Sequence, residues 1–164
     1  MKYYSLQTPS HKVSFKEAVI QGIAPDKGLY YPEHIPLLDP SFFERIESMS
    51  PVEIGLEVMH PFTEGVLTKS ELKSVLKEVL DFDFPVIPLN ENIGSLELFH
   101  GPTLAFKDVG ARFMAHCLGL FSNKKEHKVT VLVATSGDTA GAVANGFLGV
   151  AGVEVVILYP SGKV

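Results

Sequence analysis

Two segments of this 164-residue chain carry residue types at spacings that could do chemistry. The first is Leu96-Glu-Leu-Phe-His-Gly-Pro-Thr-Leu-Ala-Phe-Lys-Asp108, which passes through a Gly101-Pro102 turn into a helix start. From Lys107 one helix face continues through Ala111, Met114 and Leu118, all apolar. Lys107 is therefore expected to project from an apolar stripe at the positive end of the helix dipole, while Asp108 and Arg112 form an i,i+4 pair on another face. Desolvation and the dipole both favour the uncharged amine. Only the uncharged amine attacks a carbonyl, so the chemistry this points to is Schiff-base formation. The plainer alternative is a lysine that lays its stem along apolar surface and keeps its charge in water.

The second segment is Ala134-Thr-Ser-Gly-Asp-Thr-Ala-Gly-Ala142. It offers the hydroxyls of Thr135, Ser136 and Thr139, a flexible Gly137, the carboxylate of Asp138 and backbone N–H groups at a helix start. Such a loop suits a phosphate or a carboxylate, and it lies where α/β proteins bind ligands, beyond the C-terminal end of a strand. A helix cap built from Ser136 or Asp138 accounts for the same residues equally well.

The elements that must position these segments follow from hydrophobic pattern. Val86–Leu89 and Ser95–Phe99 read as strands and Phe106–Phe121 as a helix. Val129–Ala134 is a near-continuous apolar run, as in a strand buried on both faces. A helix rich in alanine and glycine follows over Ala140–Val150, then a second apolar strand over Val153–Tyr159. This alternation predicts a parallel α/β sheet with right-handed crossovers. Residues 1–84 read instead as mainly helical. Capping boxes at Ser14/Glu17, Ser41/Glu44, Ser50/Glu53 and Thr68/Glu71 predict helices over 15–22, 42–48, 51–60 and 69–80. Tyr3–Leu6 and Leu29–Tyr31 are short extended pieces that could pair.

Composition excludes several classes. The chain is 46% hydrophobic and 20% charged, which describes a globular protein rather than a disordered or fibrous one. Its net charge of −5 argues against a nucleic-acid binder and against docking on an anionic membrane. All of that surplus lies in the first half: residues 1–84 hold 8 basic and 13 acidic residues, whereas residues 85–164 hold 6 of each. The one cysteine, Cys117, permits no intrachain disulfide and no cysteine-built metal site, and it reads as a buried core thiol. His100 and His116 stand isolated, so no metal is expected. Lys124, Lys125, His127 and Lys128 form a small basic tip. No stretch approaches the ~20 apolar residues of a membrane span, and no apolar leader opens the chain. These features fit a soluble cytoplasmic protein. No dinucleotide fingerprint, P-loop or nucleophile elbow is present: the loop has only Gly137 and Gly141, and Gly162-Lys163 is followed by Val164.

Taken together, the segments resemble the threonine synthase family, pyridoxal-phosphate enzymes of the tryptophan-synthase-β-like fold (fold type II). Glu97 to Asp108 looks like that family's cofactor-lysine signature, and Ala134 to Thr139 like its second signature. Val13-Ser-Phe and Gly28-Leu-Tyr-Tyr-Pro32 resemble its N-terminal domain. The resemblance implies an α/β fold, with a mainly helical N-terminal domain over 1–84 and an incomplete βαβαβ catalytic domain over 85–164. It implies conversion of O-phospho-L-homoserine and water into L-threonine and phosphate. Lys107 would hold pyridoxal 5′-phosphate covalently and move protons. Phe106 and Asp138 would contact the cofactor, and Thr135, Ser136, Gly137, Asp138 and Thr139 the substrate's anionic groups. Family members are longer, and their phosphate-cradling glycine loop and pyridine-nitrogen partner come later in the chain. This portion is therefore expected to lack a complete cofactor site and to need the missing C-terminal part for activity. The competing expectations are a non-catalytic binding module or remnant, and another enzyme of the same fold, such as a dehydratase or a cysteine synthase relative.

Overall fold

A computed structural model describes residues 1–122, 128–135 and 137–162. The basic tip at Lys124, Lys125 and His127, the loop residue Ser136, and Lys163 and Val164 lie outside the described residues. The chain divides into two compact units, Met1–Lys77 and Glu78–Val164.

The first unit pairs three short strands, β1 (Lys2–Ser5), β2 (Lys12–Ser14) and β3 (Tyr30–Pro32), into an antiparallel sheet of order β2-β1-β3. The extended pieces near Tyr3 and Tyr31 do pair, opposite each other's strands. β2 carries a single apolar residue, Val13, and has no period-2 signal to announce it. Ser14 ends β2 and caps α1 (Phe15–Gln21) through a complete capping box with Glu17. The same device starts α3 (Pro51–Thr63) at Ser50/Glu53 and precedes α4 (Lys69–Val79) at Thr68/Glu71. The expected box at Ser41/Glu44 does not form. Asp39 caps α2 (Pro40–Arg45) by accepting from the Ser41 amide at 2.9 Å. Pro40 suits the first helical position, so the helix starts earlier and Ser41 falls inside it. α3 also runs through Pro61, where a stop was expected. Near its end the Thr63 hydroxyl turns back to the His60 carbonyl at 3.3 Å.

The apolar stripe of α4 is buried as its spacing predicts: Leu72, Val75, Leu76 and Val79 are each at most 3% exposed. Tyr3 lies against Phe15 and donates its hydroxyl to the Phe62 carbonyl at 2.8 Å. Its burial pushes the phenol up to about 12.

The second unit holds β4 (Val86–Asn90), β5 (Ile93–Leu96), α5 (Lys107–Ser122), β6 (Val129–Ala134), α6 (Asp138–Phe147) and β7 (Val153–Leu158). β6 and β7 pair in parallel register from Val129↔Val153 to Ala134↔Leu158, with α6 as the crossover. The structure is thus mixed α/β with a parallel pair, as the fold class required. The first two strands of this unit, however, do not extend that sheet. β4 and β5 form their own antiparallel hairpin, from Val86↔Leu96 to Asn90↔Ile93. A two-residue connection can only fold the chain back on itself, and the Asn90 side chain accepts from the Asn92 amide at 2.9 Å to close the turn.

β6 and β7 are also not covered on both faces. Alternate residues are exposed, with Leu132 at 66% and Leu158 at 52%. α5 and α6 both lie over the face that carries Val131 and Val133, so neither of them covers the other face. The two helices approach closely through glycine: a β-carbon at Gly146 would stand 3.1 Å from the Ala111 carbonyl carbon and from the Arg112 amide nitrogen.

Candidate active site

The site assembles at the N-terminal ends of α5 and α6. α5 begins at Lys107, after a turn over Gly101–Phe106 in which the Leu104 amide bonds the Gly101 carbonyl at 3.0 Å. α6 begins at Asp138, after Gly137 in a left-handed conformation (φ +68°). Glycine adopts that conformation without a β-carbon clash. The parallel strand β6 delivers this second loop, so both helix starts sit beyond the same strand end.

Lys107 Nζ stands 4.0 Å from the Asp138 carboxylate and 4.3 Å from the centre of the Phe106 ring. Beside it is a concavity of about 470 Å³, lined chiefly by apolar groups that include Met114, Val131, Val133 and Phe147. Thr139 lines it from α6. The expected apolar stripe is therefore present, but Lys107 is not secluded in it. Its side chain keeps 32% exposure and has a carboxylate nearby.

Of the loop residues singled out from sequence, Thr139 and Asp138 come to the lysine. Thr135 donates its backbone N–H to the Leu158 carbonyl at 3.0 Å, which ties the loop to the end of β7. Gly137 forms the cap position of α6, and Asp138 is the first residue of the helix itself. Ser136 lies outside the described residues.

Two pairings differ from the sequence reading. Arg112 does not meet Asp108. Its guanidinium forks onto Asp81 at 2.6 and 2.9 Å and also donates to the Glu78 carbonyl. Asp108 faces the other way, into the turn, and is 1% exposed. His100 is not isolated, because its Nε2 lies 2.7 Å from the Glu97 carboxylate and its ring stacks on Phe99. The Glu97/His100 spacing of three was a visible signal, since such neighbours can meet across a turn. Cys117 is fully buried, and desolvation pushes its thiol up to about 12. Among the described residues no group of three or more His, Cys, Asp or Glu side chains could hold a metal ion. No helix among them is long and apolar enough to cross a membrane.

The family model described as threonine synthase N terminus matches residues 2–79. The threonine synthase of Buchnera aphidicola from Acyrthosiphon pisum is 43% identical over the whole chain, and that of Haemophilus influenzae also 43%. The chain spans 38% of the length of each. Among solved structures, the crystal structure of threonine synthase from Escherichia coli superposes with a TM-score of 0.90 at 39% identity, covering 99% of this chain and 38% of that one. The pyridoxal-phosphate-bound threonine synthase from Brucella melitensis superposes with a TM-score of 0.92 at 34% identity, covering 100% of this chain and 36% of that one.

Proposed function

We propose that this chain, which is similar to the N-terminal portion of threonine synthases, carries the lysine-bearing wall of a threonine synthase active site. The reaction is conversion of O-phospho-L-homoserine and water into L-threonine and phosphate, a phosphate-eliminating lyase chemistry of the cytoplasm. The observation that carries this reading is the placement of Lys107 Nζ between the Phe106 ring and the Asp138 carboxylate, at an apolar concavity beyond a parallel strand.

The residues present fit pyridoxal 5′-phosphate. A primary amine can hold its aldehyde carbon, and apolar side chains offer a dry wall for a flat ring. When bound, the cofactor supplies an electron sink for charge developing on substrate carbon. This chain's residues do the rest. Lys107 Nζ is the group that would hold the cofactor, and its amine would take and return protons at the substrate's α and β carbons. Phe106 excludes water on one side. Asp138, 4.0 Å from Nζ, would face Lys107 and orient a polar group of the cofactor. The hydroxyls of Thr135, Ser136 and Thr139, with the N–H groups at the start of α6, meet the substrate's anionic groups.

The 38% share of the relatives' length supports a second part of this reading: the remaining portion of such an enzyme is the partner that completes the site, and this portion alone turns over little or no substrate. The test is reduction with borohydride in the presence of pyridoxal phosphate, with the modified peptide mapped. We expect at most weak labelling, located on Lys107 and missing from the Lys107→Ala chain. Equal labelling of both chains at other lysines would remove the assignment, and robust phosphate release from phosphohomoserine by this chain alone would overturn its incompleteness.

A further inference from the structure

Among the described residues Asp108 is the most deeply buried carboxylate of the second unit, and the chemistry proposed above does not use it. It is 1% exposed, and among the described residues no cation pairs with it. Its two oxygens are instead both spent on one residue. Oδ2 accepts from the Thr103 amide at 2.9 Å, and Oδ1 accepts from the Thr103 hydroxyl at 2.5 Å. A carboxylate withdrawn from water without a cation is costly unless charge-assisted hydrogen bonds and an oriented dipole replace its hydration. Here it sits in the first turn of α5, where the helix dipole favours an anion.

The surroundings are built around this contact. A β-carbon at Gly101 would stand 2.5 Å from Asp108 Oδ2 and 2.9 Å from the Phe82 ring, so residue 101 has to be glycine for Asp108 to reach Thr103. Leu104, between the two anchor points, is held at φ +57°, a conformation that a leucine adopts only when its neighbours impose it. The chain leaves this clamp at Ala105 and reaches Phe106 and Lys107 within two residues.

We infer that Asp108 is a positioning residue for Lys107: by clamping Thr103 it sets the strained turn from which the lysine emerges, and so fixes where Nζ is presented. The inference rests on the reading of Lys107 as the residue that holds the cofactor. Asp108 touches neither cofactor nor substrate, and its contribution is geometric.

The experiment uses the whole 164-residue chain, with pyridoxal phosphate and borohydride as the probe. It follows the rate of labelling at Lys107 relative to the exposed Lys73 in the same molecule. Asp108→Ala is expected to lower that ratio about tenfold or more, the scale on which misplacement of a reacting group acts. Asp108→Asn keeps an acceptor for the amide and a donor that the Thr103 hydroxyl can accept from, and is expected to restore most of the ratio. Gly101→Ala, whose methyl intrudes on Asp108, is expected to repeat the loss. A residue that merely stabilises the fold would lower the melting temperature and leave the ratio in folded protein unchanged. That result for Asp108→Ala overturns the inference while the lysine reading stands. If the unmodified chain labels Lys107 no faster than Lys73, the lysine reading fails and the inference falls with it. Should Asp108→Ala lose its helical circular dichroism, Thr103→Val decides, since it removes one of the two hydrogen bonds at a half-buried position. Labelling of that variant equal to the unmodified chain would likewise overturn the inference.

Discussion

Lys107 Nζ and the Asp138 carboxylate stand 4.0 Å apart, so the first turns of α5 and α6 meet through a single charge pair. Asp138 is 77% exposed, and an ion pair so open to water is worth at most about 1 kcal/mol. Asp138→Asn should therefore lower stability by less than about 1 kcal/mol, read as the urea unfolding midpoint. A larger loss would show that Asp138 holds the two helix starts by more than this open charge pair.

The close approach of α5 and α6 makes two glycines behave oppositely. At Gly146 a methyl group would press on the α5 backbone, which cannot swing aside as a side chain can. The overpacking cost of about 1–3 kcal/mol exceeds alanine's helical advantage of about 1 kcal/mol. Gly110 lies within α5 with nothing inside 4 Å of a β-carbon, so Gly110→Ala should gain up to about 1 kcal/mol. Urea unfolding of the two variants is the comparison. Equal stabilisation by both would contradict the packing described for Gly146.

Acid should weaken the second unit through Asp81. Its hydrogen bond to Arg112 holds the carboxyl below the ordinary carboxylate range, and the Arg112 charge adds to this. A carboxyl depressed in the folded state contributes stability above its unfolded value of about 3.9. That contribution disappears as pH falls through the lower folded value. Because Asp81 is half exposed, the loss is under about 1 kcal/mol. Unfolding midpoints measured from pH 6 down to pH 2 should fall less steeply in Arg112→Met than in the unmodified chain. Parallel pH curves for the two would remove this pair from the acid response.

Cys117 should be inert in the folded protein. With the thiol fully buried and pushed up to about 12, little thiolate exists at pH 8, and reagents have no path to it. Alkylation by iodoacetamide should run on the order of a thousandfold slower than for an exposed cysteine, and reach that rate in guanidinium. Rapid alkylation of native protein would mean that α5 opens locally.

What could be read from the chain without its structure was whatever depends on neighbours a few residues apart. Capping boxes at Ser14, Ser50 and Thr68, the buried stripe of α4, the apolar runs of β6 and β7 and the lysine signature ending at Asp108 are all local patterns. They were enough to assign the fold class and to single out Lys107. The box at Ser41 misled because Asp39-Pro40 offers a better start two residues earlier, a competition between adjacent signals. Other features depend on contacts between elements, and no spacing encodes them. The β4–β5 hairpin stands apart from the parallel pair because a short turn forces antiparallel return. One face of β6 and β7 is open because both helices lie over the other. Arg112 turned to Asp81, 31 residues away, because Asp108 was already engaged with Thr103. The sequence alone therefore determined the fold class and singled out the candidate residues. Only the tertiary structure decided which of them meet, because charge pairing and burial are settled by distances between elements rather than by order along the chain.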